Sequence, residues 1–185
     1  MKPAVFLDRD GVINVDVNYL SRPEDVRLIP GAARAIAKLN AAGFAVVVVS
    51  NQSGLARGYF GPEDLEAVRA ELDRRLAQAG ARVDAYYHCP HHPDQGVIPE
   101  LTRACDCRKP APGMVLRAAR ELNLDLAASF MVGDKPSDAA CGWAAGVVSI
   151  LVGGASGGGA APDHMAADLA QAVDWILAET GEGGA

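Results

Sequence analysis

Asp8 and Asp10 stand one residue apart at the end of a short apolar run, Ala4 to Leu7, with Gly11 directly after them. In an extended chain alternate side chains share a face, so this spacing lets both carboxylates point the same way with Arg9 turned aside. Carboxylates at the mouth of a buried strand are costly to desolvate unless their charge is compensated. A hard divalent cation such as Mg²⁺ supplies that compensation through oxygen ligands. The same pair could divide into a nucleophile and a general acid/base. A strand-ending turn or helix cap accounts for two aspartates equally well, so the pair alone leaves both readings open.

Two further polar clusters also follow apolar runs. Ser50-Asn51-Gln52-Ser53 comes after the β-branched run ending at Val49, and Gly133-Asp134 after Phe130-Met131-Val132. Helical spacing predicts helices over 32–42, 62–78, 112–123, 137–145 and 169–179. Strands are expected at 4–7, 45–49, 85–88, 130–132 and 147–152, with a last short one near Met165. Gly153 to Ala161 reads as a glycine-rich turn. This alternation predicts an α/β fold, a Rossmann-like parallel sheet with helices on both faces. One domain is expected over 1–180, with 181–185 a frayed tail. Sites in such sheets form beyond the carboxyl ends of the strands, near the switch in strand order, so the three clusters should converge.

Dinucleotide binding would place Gly-x-Gly-x-x-Gly after the first strand, where the chain has Asp-Arg-Asp-Gly instead, and no Walker A sequence is present. The converging groups suit phosphoryl transfer. Asp8 would attack phosphorus, and Asp10 would protonate the leaving alkoxide and then activate water. Mg²⁺ held by Asp8, the Asp10 backbone carbonyl and Asp134 would offset charge repulsion, while Ser50 and Lys109 would bind the non-bridging oxygens.

Bulk properties bound the partners. The 185 residues include 17 basic and 23 acidic side chains, for a net charge of −6, which argues against nucleic acid as a primary partner. Phe44 to Val49 is too short to cross a bilayer and no signal-peptide pattern opens the chain, so a cytoplasmic protein without a membrane partner is expected. A monomer is expected too. In that compartment cysteines are metal ligands, catalytic groups or core residues before they are disulfides. Cys89-Pro-His91 and Cys105-Asp-Cys107 supply three thiolates and one imidazole, a set suited to structural Zn²⁺. His92 is a weaker fourth ligand by spacing, and Cys141 reads as a small buried residue.

The order Asp8-Arg-Asp-Gly, Ser50-Asn51, Lys109, Gly133-Asp134 resembles the four motifs of the haloacid dehalogenase superfamily of aspartate-nucleophile phosphatases. With Cys-Pro-His … Cys-Asp-Cys-Arg-Lys-Pro the chain is similar to one of its families, the D-glycero-D-manno-heptose-1,7-bisphosphate 7-phosphatases. The resemblance implies a capless, open site, release of the 7-phosphate of that sugar on the way to nucleotide-activated heptose for surface lipopolysaccharide, and the roles of Asp8, Asp10, Ser50 and Lys109 given above. It further implies substrate contacts from Asp16, Val17, Asn18 and Tyr19, from Asn51, Gln52 and Ser53, and from Arg108. Histidinol-phosphate phosphatases share the same motifs and cysteine loop and are the alternative. A zinc-stabilised module that binds phosphosugars without turnover is the alternative of another class.

Overall fold

The computed structural model describes residues 1–154 and 161–181. Six strands form one parallel sheet: β1 (Lys2–Leu7), β2 (Ala45–Asn51), β3 (Ala85–Cys89), β4 (Leu124–Gly133), β5 (Val148–Val152) and β6 (His164–Ala166). Their order across the sheet is β3-β2-β1-β4-β5-β6. The order reverses between β1 and β4, and a doubly wound sheet opens its crevice at that switch point.

Five helices cover the sheet: α1 (Ala32–Ala41), α2 (Pro62–Ala77), α3 (Gly113–Leu122), α4 (Pro136–Ala145) and α5 (Leu169–Gly181). The β-strand period of two sorts the core into two layers. Val5, Leu7, Val46, Val48, Val132 and Ile150 pack against α1, α2 and α5, whereas Phe6, Val47, Val49 and Met131 pack against α3 and α4. The apolar stripe of α2, Leu65, Val68, Leu72 and Leu76, is buried at helical spacing as the sequence predicts. Truncating a fully buried side chain such as Phe6 to alanine would cost about 3–5 kcal/mol.

Element boundaries fall within one or two residues of expectation except at the start of β4. β4 begins at Leu124 rather than Phe130, because Lys2 and Pro3 pair with Leu124 and Asp125 before the register jumps to Val5 and Phe130. Residues 126–129 bulge there, and Ser129 Oγ takes the Ala4 N–H at 2.8 Å in place of a backbone carbonyl. A bulge erases the apolar run that marks a strand. Helix α5 continues to Gly181, the first residue of the expected frayed tail, while the rest of that tail, 182–185, and most of the glycine-rich turn, 155–160, lie outside the described residues. Among the described residues no helix is long and apolar enough to cross a membrane.

Candidate active site

β1, β2 and β4 each end at the same edge, and each delivers one polar cluster there. The Asp8 N–H still donates to Val132 O at 3.0 Å, so the ladder holds the aspartate at the strand's exit. Asp8 is 5 % exposed. Its Oδ1 lies 2.8 Å from Lys109 Nζ, an ion pair off the alignment of a hydrogen bond. The same ammonium lies 2.7 Å from Asp138 Oδ1 and donates to Val49 O at 2.8 Å. Burial alone would lower the Lys109 pKa, but the carboxylates of Asp8 and Asp138 reverse that and raise it. Lys109 is therefore a fixed cation. Asn51 clamps its backbone from both sides: Oδ1 accepts the Lys109 N–H at 3.0 Å and Nδ2 donates to the Lys109 carbonyl at 3.1 Å.

Carboxylate oxygens of Asp8, Asp134 and Asp138 lie within 4.8 Å of one another. Asp134 Oδ1 is buried without a hydrogen-bond partner. Burial, with the negative charges of Asp8 and Asp138 and against the pull of Lys135, pushes the Asp134 carboxyl up to about 6. An orphaned buried oxygen among converging carboxylates fits an oxygen-seeking cation such as Mg²⁺. Gly11 makes room for it, with φ +85° and a position where a Cβ would stand 2.2 Å from Asp134 Oδ2.

Asp8 and Asp10 both border an open cavity of about 220 Å³, together with Asp16, Asn18, Tyr19, Ser50, Asn51, Gln52 and Lys109. Val17, Ser53 and Arg108 are not among its lining residues. Arg108 Nη1 donates to His91 O at 3.2 Å, tying it to the cysteine loop. Arg9 borders not this cavity but a second one, beside Leu65 and Tyr86, as its place in the alternation suggests, yet its head group returns to Asp10. It is 4 % exposed, and its guanidinium curls back onto Asp10, with Nη2 at 2.7 Å from Oδ2 and Nε at 3.1 Å from Oδ1. A long, flexible side chain overrides the alternation of Cβ directions.

Three residues of the site escape the sequence reading: Lys135, Ser137 and Asp138. Asp138 stands in the first turn of α4, four residues beyond Asp134 at the strand-to-helix junction, and that closeness in sequence is the available signal. It also caps α4, accepting the Lys135 N–H at 2.9 Å, so it passes for a surface cap until its 1 % exposure is known. Lys135 Nζ meets Asp16 Oδ2 at 3.2 Å across the cavity mouth.

The loop beyond β3 gathers Cys89 Sγ, His91 Nδ1, Cys105 Sγ and Cys107 Sγ within 4.8 Å of one another. The three sulfur–sulfur separations are 3.2–3.5 Å, and His91 Nδ1 lies 3.7 Å from Cys89 Sγ and 3.4 Å from Cys107 Sγ. A tetrahedral Zn²⁺ site has edges of about 3.8 and 3.6 Å for bonds of about 2.3 Å to sulfur and 2.0–2.1 Å to nitrogen, so the donor set fits that ion. The cysteines are free rather than bridged. His92 turns away, its Nδ1 accepting the Gln95 N–H at 2.9 Å. Cys141 is fully buried in the α3–α4 layer.

Comparison with known proteins agrees with this geometry. The HAD-hydrolase-like family model matches residues 106–177. The D-glycero-β-D-manno-heptose-1,7-bisphosphate 7-phosphatase of Yersinia pestis is 43% identical over 176 residues, 95% of this chain and 89% of that protein. The protein of the same name from Escherichia coli K12 is 44% identical over 95% of this chain and 88% of its own. The crystal structure of D,D-heptose 1,7-bisphosphate phosphatase from B. bronchiseptica, complexed with magnesium and phosphate, superposes with a TM-score of 0.85 at 40% identity, covering 97% of this chain and 99% of that one. The chain belongs to the D-glycero-β-D-manno-heptose-1,7-bisphosphate 7-phosphatase family of HAD-like hydrolases.

Proposed function

We propose that this protein hydrolyses the 7-phosphate of D-glycero-D-manno-heptose 1,7-bisphosphate through an aspartyl-phosphate on Asp8, as a cytoplasmic monomer supplying nucleotide-activated heptose. The observation that carries this reading is the buried Asp8 carboxylate, held against Lys109 beside Asp134 and Asp138 at the floor of an open cavity. An Asp8 carboxylate oxygen forms the new bond to phosphorus as the bond to the sugar oxygen breaks, and Asp10 gives its proton to that oxygen. Asp10 then takes a proton from water, whose oxygen attacks phosphorus and releases Asp8. Ser50 and Lys109 donate to the non-bridging oxygens throughout, where charge develops. Mg²⁺ on Asp8, the Asp10 backbone carbonyl and Asp134 would supply positive charge that offsets the repulsion between carboxylate and phosphate.

Cys89, His91, Cys105 and Cys107 would hold Zn²⁺ as a structural staple of the 89–107 loop. The stapled loop holds Arg108 beside Lys109 by the bond to His91 O. A guanidinium carries five N–H donors, so Arg108 keeps others for the far phosphate of the substrate. Asp16, Asn18 and Tyr19 border the cavity and would meet the sugar, joined by Asn51 and Gln52. The test is a substrate panel. The heptose bisphosphate should give the highest kcat/KM, and faster turnover of histidinol phosphate would refute the assignment.

A further inference from the structure

Gln52 sits between three groups that leave its amide one orientation. Arg9 Nη2 donates to Gln52 Oε1 at 3.2 Å, and a guanidinium can only donate, so the carbonyl end must face it. The amide nitrogen then faces Ser50 Oγ at 2.8 Å, with the carboxylate of Asp10 farther off at 3.5 Å. All three of Arg9, Ser50 and Gln52 are 4 % exposed, and the Gln52 backbone N–H is fixed on Cys89 O at 2.8 Å. An amide nitrogen has protons to give and no lone pair to accept with, so Ser50 Oγ is the acceptor in this contact.

That fixes what the Ser50 hydroxyl does. With a lone pair occupied by Gln52, its own proton must point elsewhere, and among the described residues it is donated to no protein acceptor. Ser50 borders two cavities, one beside Tyr86 and the other shared with Asp8 and Lys109, and it is toward Asp8 and Lys109 that a phosphoryl oxygen would offer its proton an acceptor. A hydroxyl rotates freely in the absence of such a partner and could equally present its oxygen to an incoming phosphate, which would repel it. We propose that Gln52, locked by Arg9, is a positioning residue that keeps Ser50 a hydrogen-bond donor toward the phosphoryl group. Gln52 therefore serves the site through Ser50 rather than chiefly through the sugar. The inference rests on the phosphate-binding role of Ser50 given above.

Gln52→Glu reverses the bond: a carboxylate still accepts from Arg9 but would draw the Ser50 proton to itself. A double-mutant cycle on kcat/KM for the heptose bisphosphate, at saturating Mg²⁺, separates this from added charge. Ser50→Ala should lose about 100-fold, the scale of removing one donor to a developing charge, and Gln52→Glu should lose a similar factor. Placed in the Ser50→Ala background, Gln52→Glu should lose no more than about two-fold further, the scatter of independent sites. In Ser50→Thr, which restores the hydroxyl, its full penalty should return. An equal penalty for Gln52→Glu with and without the hydroxyl would overturn the proposal, because repulsion or misfolding acts in both backgrounds. Full activity in Ser50→Ala would refute the phosphate role itself, a separate failure read from a separate variant. If Gln52→Glu does not fold, Gln52→Met removes the donor without adding charge and must show the same dependence on the hydroxyl.

Discussion

Lys109 is the buried cation on which two buried carboxylates depend, so Lys109→Met is the substitution whose cost the structure defines best. The Nζ atom is 2.8 Å from Asp8 and 2.7 Å from Asp138, with Lys109 4 % exposed. Removing one partner of a buried ionic cluster while leaving the others typically destabilises by about 3–5 kcal/mol. For a chain of this length that is a fall in Tm of about 6–20 °C. The deficit depends on pH with a definite sign. Asp138 is already raised, by burial first, with Lys109 pulling it down and Asp8 pushing it up. Without Lys109 pulling it down, the Asp138 carboxyl of the folded variant holds its proton more readily than it does in the unfolded chain. Folding is then favoured as pH falls, and the deficit relative to wild type shrinks as pH is lowered from neutrality toward the ordinary carboxylate range. Wild-type Lys109, with its pKa raised, stays charged across that window. Thermal melts of metal-free protein at several pH values read both effects. An unchanged Tm, or a deficit that grows on acidification, would refute the assignment of Lys109 as the compensating charge.

Other perturbations separate the remaining parts of the site. Asp134 in the metal-free protein is pushed up to about 6, so Mg²⁺ binding releases a proton below that pH and none well above it. Affinity measured by calorimetry should fall about ten-fold per pH unit on the acid side, with buffer-dependent heats revealing the proton. Gly11→Ala places a Cβ 2.2 Å from Asp134 Oδ2 at φ +85°, and should weaken Mg²⁺ binding and kcat while far-ultraviolet circular dichroism stays native. Cys107→Ala should lower the zinc content measured by elemental analysis and open residues 90–106 to protease. It should raise KM for the bisphosphate more than it lowers kcat, because the loop presents Arg108 and not the nucleophile.

The sequence carries more of this site than its side-chain count suggests, and the residues it hides share a physical cause. Asp8, Ser50 and Asp134 are legible because each closes an apolar run, and strands of one parallel sheet deliver their ends to one edge. The cysteine and histidine cluster is legible because a metal site would need those residue types close together. Asp138 is hidden because a carboxylate in a helix's first turn is the ordinary cap, and only its burial against Lys109 marks it as more. The reach of Arg9 to Asp10 and Gln52 is hidden because alternation fixes Cβ directions and not where a long side chain ends. Strand β4 loses its first half to the bulge at 126–129, where pairing runs through a serine hydroxyl rather than a periodic apolar pattern.

The central claim is that Asp8 is phosphorylated by the heptose bisphosphate. The direct measurement is acid quenching of Asp10→Asn protein with that substrate and Mg²⁺, followed by intact-mass and peptide mass spectrometry. The variant retains the nucleophile and lacks the group that activates water, so one phosphoryl group should accumulate on the peptide containing Asp8 and be absent in Asp8→Asn. A phosphoryl group on another residue, or full turnover by Asp8→Asn, would contradict the account.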